Sequence, residues 1–267
     1  MKTILITGST DGIGKLAAID LAKDGHTILI HGRNREKVSK VVEAITKLTE
    51  SNTIYGFTCD LSQLQSIDDF VNQIASKTIK LDVLINNAGV YNSPVATTKN
   101  GIDIRIAVNY LAPYLLTTKL LPLLKKSGSA RIINLSSAAQ SSISPEFFLG
   151  KETVSESGAY AQSKLALTMW SFQLAKEQPE LNVIAVNPGS LLNTKMVKEA
   201  FGNHWSDASK GADILTQLAT SERFNESSGS YFDNDKGDFS HANDDAYNHE
   251  KLNQLHNLTQ KLLKNKL

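Results

Sequence analysis

The sequence has 267 residues, of which 41% are hydrophobic and 21% are charged. This composition is typical of globular proteins, and the length is sufficient for a sizeable core. The 28 basic and 27 acidic residues almost cancel, which gives no support for nucleic acid or an acidic membrane surface as a partner and leaves a small molecule as the favoured ligand.

Three features bear on the cellular location. Cys59 is the only cysteine in the sequence, so an internal disulfide is excluded and a reducing compartment fits. The opening MKTILITG lacks the charged and long apolar regions of a secretory signal. The most apolar long window, residues 104–124, contains Arg105, Lys119 and two prolines, and predicts a buried helix, not a membrane span. We therefore expect a cytoplasmic protein.

Short β-branched runs alternate with longer amphipathic runs along the chain. Strands are predicted at residues 2–7, 27–31, 53–58, 82–86, 130–135, 182–186 and 229–232. Helices are predicted near residues 13–24, 35–49, 63–76, 101–124, 157–176 and 245–264. Because the strands are almost wholly apolar and alternate with helices, the pattern predicts an α/β fold with a doubly wound parallel sheet of about seven strands, helices on both faces, and ligands at the carboxyl ends of the strands.

The sequence contains no internal repeat, low-complexity tract or linker, so we expect one domain over residues 1–267. Residues 138–157 and 190–228 are rich in Ser, Gly, Asn and charges. We interpret them as loops that can include short helical pieces, and we expect them to lie on the ligand side of the sheet and contact the substrate.

The first predicted strand runs directly into TGSTDGIG, with glycines at positions 8, 12 and 14. Glycine permits a tight turn, close approach of the backbone to a pyrophosphate, and close packing of helix on strand, while the helix N-terminus offers free N–H groups to anionic oxygens. The strand–turn–helix context therefore predicts a nucleotide site. An ordinary strand–helix turn is the alternative.

Tyr160 and Lys164 are four residues apart in a run with good helix propensity. On a helix their side chains project from one face, where an ammonium favours the phenolate and lowers the pKa of the tyrosine. The pair is therefore a candidate for acid/base chemistry. The alternative is a solvated lysine beside a half-buried tyrosine.

The G-x-x-x-G-x-G spacing, NNAG at residues 86–89 and the Tyr160/Lys164 pair together resemble the short-chain dehydrogenase/reductase family. The resemblance covers nearly the whole chain and implies a Rossmann-like fold. It also implies an oxidoreductase that passes a hydride between a nicotinamide cofactor and a carbonyl or alcohol substrate. RIINLSS at 131–137 is similar to the family's strand leading to the catalytic serine, and VNPG at 186–189 to its loop over the nicotinamide.

The resemblance implies a role for each of four catalytic residues. Tyr160 is the expected general acid/base, and Lys164 the residue that lowers its pKa and holds the nicotinamide ribose. Ser137, not Ser136, is expected to hydrogen-bond the substrate carbonyl, since the second serine of the pair matches the family's catalytic one. Asn109 is expected to hold a water of a proton relay.

Asn109 also has an argument of its own. In a helix its carbonyl would accept a hydrogen bond from the N–H of residue 113, but Pro113 has none. A bend and a freed carbonyl are predicted, and either water or a side chain would satisfy that carbonyl.

The family's cofactor contacts carry over onto matching positions of this sequence. They are Gly8, Ser9, Thr10, Gly12, Ile13, Gly14, Arg33, Asp60, Leu61, Asn87, Ala88, Gly89, Tyr160, Lys164, Pro188, Gly189 and Thr194. Thr194 lies one position later than the family's usual threonine. A helix cap is the competing role for Asp60. The six histidines form no metal-binding motif, so no metal is expected.

The residues after the second predicted strand indicate which cofactor is used. Gly32 stands where proteins that bind NAD usually carry an acidic residue for the 2′-hydroxyl, and Arg33 follows it. Arginine pairs with a 2′-phosphate through charge-assisted hydrogen bonds. NADP is therefore favoured over NAD; a solvated helix-entry charge is the alternative role of Arg33.

Ser137 and Tyr160 are 23 residues apart, about ten more than in many family members. The extra residues, PEFFLGKETVSE, resemble the longer loop of the retinol-dehydrogenase-like branch. Phe147 and Phe148 in that insertion are expected either to shape an apolar substrate pocket or to belong to a surface Ω-loop.

Two further hypotheses remain open from the sequence. A protein that binds NADP without catalysis is the main rival to the enzyme, and a sugar-nucleotide epimerase or dehydratase is a third possibility. The apolar helices at 101–124 and 157–176 are expected either to pair copies of the chain into a homodimer or homotetramer, or to be covered within the monomer.

Overall fold

The computed structural model describes residues 1–266 and contains one eight-stranded sheet in the order β3-β2-β1-β4-β5-β6-β7-β8. The strands are β1 (Thr3–Ile6), β2 (Thr27–Gly32), β3 (Ile54–Thr58), β4 (Val83–Asn86), β5 (Arg131–Leu135), β6 (Asn182–Asn187), β7 (Ser230–Asp233) and β8 (Asp238–Phe239). The first seven pair in parallel, and β8 pairs antiparallel with β7. The doubly wound α/β fold is thus confirmed. The eighth strand was not predicted because two exposed residues carry no periodic pattern.

The helices flank both faces of this sheet. They are α1 (Gly12–Lys23), α2 (Arg35–Thr49), α3 (Ile67–Lys77), α4 (Ile104–Ile106), α5 (Ala112–Lys125), α6 (Pro145–Phe148), α7 (Glu156–Glu177), α8 (Lys195–Phe201), α9 (Ala208–Thr220) and α10 (His249–Lys266). Two apolar cores result, one on each face, because the central strands are buried on both sides. Within residues 1–266, no helix has both the length and the hydrophobicity to cross a bilayer.

The helix predicted at 101–124 is interrupted by a π-helical turn, Ala107–Leu111. The Ala112 N–H donates to the Ala107 carbonyl, five residues back. Pro113 explains the interruption, since a residue without an N–H cannot continue the α-helical ladder and a π-turn shifts the register. The bend predicted at Asn109 therefore takes the form of a π-turn that holds Asn109 fully buried.

Residues 190–228 are more regular than expected. They contain α8 and the 13-residue α9, whose buried residues include Ala212, Leu215 and Leu218 and whose neighbour is α1. The prediction of loops with short helical pieces was wrong for α9. Its apolar residues recur at helical spacing, but serines, charges and Gly211 among them obscure the pattern; Gly211 allows α9 to approach Leu192 and Ile13 closely.

The insertion between Ser137 and Tyr160 contributes to the core. Phe147 and Phe148 form part of α6 and are 5% and 1% exposed, and the Phe148 ring packs 6.4 Å from that of Tyr110. The surface Ω-loop predicted as one alternative is therefore wrong for these two residues, and a contribution to the substrate pocket stays a prediction. Their burial follows from α10, which packs against α6 and covers this side of the sheet.

Helix α10 also packs on the helices that were candidates for self-association. The Tyr110 hydroxyl hydrogen-bonds the Thr259 hydroxyl at 2.5 Å, and Gln260 Nε2 donates to the Tyr114 hydroxyl at 2.9 Å. Leu255 and Leu262 of α10 are buried in the same core. Part of the apolar surface of α5 and α7 is therefore covered within the chain, and oligomerisation remains a prediction.

Replacing Phe148 with alanine should lower the free energy of unfolding by about 3–5 kcal/mol, because a fully buried aromatic ring leaves a cavity. Ile79→Ala is the control: Ile79 is 81% exposed, and its loss should change stability by less than about 0.5 kcal/mol. Urea unfolding followed by far-UV circular dichroism measures both. Equal stability of the two variants would contradict the burial of α6.

Candidate active site

Most of the predicted site residues lie at the carboxyl ends of four neighbouring strands, β1, β4, β5 and β6. The glycine turn (residues 7–14) follows β1, and residues 87–89 follow β4. Ser137 follows β5 by two residues, and the proline–glycine loop (residues 187–190) begins at the end of β6. Parallel strands place their carboxyl ends on one edge, so motifs far apart in sequence share one cleft.

The glycine turn lies directly against residues 87–89. A Cβ placed on Gly8 would lie 2.8 Å from the Ala88 Cα, and one on Gly14 would lie 2.3 Å from Asn87 Nδ2. Asn87 Nδ2 donates to the Thr7 and Gly8 carbonyls at 2.7 and 3.0 Å. Gly8 and Gly14 are therefore required by contacts within the protein, in addition to any approach of a nucleotide.

Gly12 differs from the other two glycines of the turn. Its φ of +55° lies in the left-handed region, as does that of Gly8, but a Cβ placed on it would meet only the side chain of Thr194, at 3.7 Å. Thr194 thus lies beside the turn, although its hydroxyl accepts a hydrogen bond from Val197 N as the N-cap of α8. The open side of the turn, with the N-terminus of α1 behind it, fits a pyrophosphate.

Ser9, Thr10 and Ile13 occupy different sides of the turn. Ser9 is fully buried: its hydroxyl donates to the Ile6 carbonyl at 2.8 Å and its N–H to the His31 carbonyl at 2.9 Å, so both groups are occupied within the protein. Thr10 packs against β2: a Cβ placed on Gly32 would lie 2.6 Å from the Thr10 methyl. Ile13 is partly buried and packs on the core beneath α1.

His31 was missed by the sequence analysis. It is 2% exposed; its Nδ1 accepts from Gly8 N at 3.1 Å, and its Nε2 donates to the Cys59 carbonyl at 3.0 Å. Burial lowers the pKa of His31 to about 4, so the ring is neutral near pH 7, in the tautomer that both hydrogen bonds need. His31 thereby joins the glycine turn to β2 and β3.

The residues predicted to contact the adenosine end lie beside this turn. Arg33 is exposed at the end of β2, near enough to Asp60 for their charges to interact. The Asp60 carboxylate accepts from Ser62 N and the Ser62 hydroxyl at 3.0 and 2.8 Å. Partial burial raises the pKa of Asp60, but these hydrogen bonds hold it below its ordinary value. Leu61 is buried in the core.

Tyr160 and Lys164 lie one turn apart on α7, with the Lys164 Nζ 5.5 Å from the Tyr160 ring centre. The ammonium donates to the Leu135 carbonyl at 2.7 Å. Burial lowers the pKa of Lys164 to about 8. Burial likewise raises the pKa of Tyr160, which a hydrogen bond with the Ser137 hydroxyl partly opposes. The expected lowering of the Tyr160 pKa is thus not seen, because burial, the largest influence on this group, raises it.

The two serines after β5 have different surroundings. Ser136 is buried, and its hydroxyl donates to the Lys164 carbonyl at 3.1 Å and contacts that of Thr168 at 2.6 Å. Ser137 is partly exposed, and its hydroxyl lies near enough to Tyr160 to lower the pKa of that phenol. The Tyr231 hydroxyl donates to the Ser137 carbonyl at 3.0 Å, which fixes its backbone. Of the pair, Ser137 is the one whose hydroxyl faces Tyr160.

The Asn109 side chain joins the π-turn to the segment after β4. Its Oδ1 accepts from Val90 N at 2.8 Å, and its Nδ2 donates to the Val90 carbonyl and the Ser163 hydroxyl, both at 3.0 Å. A Cβ on Gly89 would lie 3.4 Å from Asn109 Oδ1 and 3.5 Å from Lys164 Nζ. Gly89, Asn109 and Lys164 therefore form one cluster behind Tyr160.

Tyr91 is a second residue that the sequence analysis missed. Its ring lies 4.9 Å from that of Tyr160, and its carbonyl accepts from Arg105 Nη1 at 3.2 Å. Arg105 is 5% exposed and forms a two-pronged pair with the Asp103 carboxylate. The signal available in the sequence was Arg105, an arginine in an otherwise apolar run. A buried charge is normally paired, so its partners, Asp103 and the Tyr91 carbonyl, could have been sought near it.

The cluster provides a proton donor, a neighbouring hydroxyl and a buried ammonium beside a turn that presents backbone N–H groups. Such a set suits proton transfer next to a dinucleotide. Among residues 1–266, no group of three or more His, Cys, Asp or Glu side chains is placed to hold a metal ion.

Comparison with known proteins shows which family the chain is similar to. A family model described as short chain dehydrogenase matches residues 2–205. Human polyprenol dehydrogenase is 37% identical over 210 residues, which cover 75% of this chain but only 63% of the relative's length. Human retinol dehydrogenase 13 is 34% identical over 252 residues, covering 87% of this chain and 76% of that protein.

Solved structures agree with the sequence relatives. A short chain dehydrogenase of Shigella flexneri, complexed with NADP, has a TM-score of 0.70 at 29% identity and covers 88% of this chain and 97% of its own. One of Escherichia coli, complexed with NADPH, has a TM-score of 0.73 at 28% identity, with coverages of 87% and 96%. The chain therefore belongs to the short-chain dehydrogenase/reductase family, in its retinol-dehydrogenase-like branch.

Proposed function

We propose that the protein is an NADP-dependent oxidoreductase that transfers a hydride between the nicotinamide and a carbonyl or alcohol carbon, with Tyr160 as general acid/base. The observation that carries the proposal is the meeting of Tyr160, Ser137 and Lys164 at the carboxyl end of β5, beside the glycine turn. The NADP and NADPH bound to two related structures support the choice of cofactor.

When bound, the cofactor supplies the hydride, and the protein supplies position and proton. Tyr160 keeps its proton near pH 7, since burial raises its pKa, and gives it to the carbonyl oxygen during reduction. Ser137 donates a hydrogen bond to the same oxygen as negative charge develops there. Lys164 places a positive charge behind Tyr160, where it stabilises the phenolate left after the proton has gone.

The predicted cofactor residues fit this mechanism by position. The open side of the glycine turn and the N-terminus of α1 would hold the pyrophosphate, with Arg33 at the adenosine end. Residues 87–89, Pro188, Gly189 and Thr194 would enclose the rest, and Asn109 would hold the water that relays protons to Lys164.

The substrate class follows from the cleft and from the names of the relatives. Retinol and polyprenol are apolar alcohols, and Tyr91 offers an aromatic ring beside Tyr160. We therefore propose an apolar alcohol or its carbonyl product, contacted by residues 138–157 and 190–228. A cytoplasmic location remains a prediction. So does a single domain over residues 1–267, of which residue 267 lies outside the described residues.

Tyr160→Phe should abolish turnover while NADPH still binds, because the ring stays and the transferable proton is lost. We expect a fall in kcat of at least about 100-fold. NADPH oxidation against a panel of aldehydes, ketones and quinones measures it, beside NADPH affinity by fluorescence titration. Full activity of the variant would contradict the acid/base role, and binding without turnover by the wild type on every substrate would favour the non-catalytic alternative.

The pH dependence should follow Lys164, whose pKa burial lowers to about 8. Below that pH the ammonium is charged; above it the neutral amine no longer stabilises the phenolate. We therefore expect kcat/KM for carbonyl reduction to be level near pH 6–7 and to fall as the pH rises through about 8. Lys164→Arg should move this fall to higher pH, since arginine stays charged. An unchanged profile in that variant would contradict the assignment.

Arg33→Ala should reduce the preference for NADPH over NADH by about tenfold, because a charge-assisted contact to the 2′-phosphate is lost. The ratio of kcat/KM values for the two cofactors measures the preference. Arg35→Ala, an equal loss of charge at the first residue of α2, serves as the control and should leave the ratio unchanged. If Arg33→Ala lowered kcat/KM equally for NADPH and NADH, Arg33 would have a structural role and no contact with the 2′-phosphate.

A further inference from the structure

The proline–glycine loop holds an unusual backbone conformation. Gly189 has φ +123°, and Leu191, two residues later, has φ +45°. Leucine rarely adopts that region, because its Cβ crowds the backbone, and such residues persist only where surrounding contacts fix them. Ser190, which lies between these two residues, is where the fixing contacts should be found.

Ser190 is held by one carboxylate from a distant part of the chain. Asp235 Oδ1 accepts from Ser190 N at 2.9 Å, and Asp235 Oδ2 accepts from the Ser190 hydroxyl at 2.5 Å. The same Oδ2 accepts from Asn187 Nδ2 at 2.9 Å. Asp235 therefore binds both ends of the loop.

The two residues before Asp235 hold the remainder of the loop. Asn234 Nδ2 donates to the Pro188 carbonyl at 2.8 Å, and Asn234 N donates to the Asn187 carbonyl at 3.0 Å. Asp233 Oδ1 accepts from Asn187 Nδ2 at 2.8 Å. The segment after β7 thus makes hydrogen bonds to Asn187, Pro188 and Ser190.

Charge supports the same arrangement. The Lys210 ammonium lies 3.8 Å from the Asp235 carboxylate. Partial burial raises the pKa of Asp235, but the hydrogen bonds from Ser190 and Asn187 and the charge of Lys210 hold it below its ordinary value. The acceptor is therefore ionised near pH 7, when its bonds to Ser190 are strongest.

We propose that Asp235 is a positioning residue that fixes the proline–glycine loop in the shape that receives the nicotinamide end of the cofactor. The proposal rests on the proposed function, from which the loop takes its role. We call the contacts of residues 233–235 with the proline–glycine loop the clamp. These residues lie beyond residue 205, where the match to the family model ends, so the clamp comes from a part of the chain that the family model does not match.

Asp235→Ala should weaken NADPH binding by about tenfold, because the loop must then be ordered when the cofactor binds. Fluorescence titration with NADPH measures this. Adenosine 2′,5′-bisphosphate, which has the adenosine end and no nicotinamide, should bind the variant and the wild type equally in calorimetry. Loss confined to NADPH supports the clamp; equal loss for both probes, or none for NADPH, would overturn it.

Two further variants separate the clamp from general damage to the fold. Asp238→Asn removes a carboxylate three positions away that is 73% exposed, and should leave NADPH affinity unchanged. Ser190→Ala removes only the hydroxyl bond, and should weaken NADPH binding in the same direction by a smaller factor; no change in Ser190→Ala would count against the clamp. Failure of the wild type to bind NADPH would instead overturn the proposed function.

Discussion

The close contact between the glycine turn and the segment after β4 is the constraint on which the rest of the cleft depends. Gly8 and Gly14 have no side chains, so Ala88 and the Asn87 amide approach the turn directly. Asn87 then bonds to the Thr7 and Gly8 carbonyls, which joins the carboxyl ends of β1 and β4. Any side chain at Gly8 or Gly14 would separate the two halves of the cleft.

Buried polar side chains connect strands β4 and β5 to helices α5 and α7, and α7 carries Tyr160. Asn86 Nδ2 donates to the Thr117 hydroxyl of α5 and to Asn134 Oδ1 of β5, and Asn134 Nδ2 donates to the Ser171 hydroxyl of α7. Each bond is buried, where a hydrogen bond lost by a change of register would be costly, so the network favours the observed register of α7 on the sheet. That register sets where Tyr160 and Lys164 lie.

The part of the chain beyond residue 205 completes the structure in two ways. Helix α10 packs against α5, α6 and α7, and so buries the aromatic residues of the insertion in the core. The residues after β7 hold the proline–glycine loop, which follows the neighbouring strand β6. Helix α7, which carries Tyr160, is thus covered by α10, and the proline–glycine loop is held by the residues at the end of the neighbouring strand β7.

The sequence by itself determined the α/β class, the order of the seven parallel strands along the chain, the glycine turn and the spacing of Tyr160 and Lys164, because each depends on residues close together in the chain. Only the tertiary structure decided how those residues are paired. His31 meets Gly8 across 23 positions and Asp235 meets Ser190 across 45, and no local pattern encodes such contacts. The direction of the Tyr160 pKa is of the same kind, since it depends chiefly on how deeply the folded chain buries the phenol.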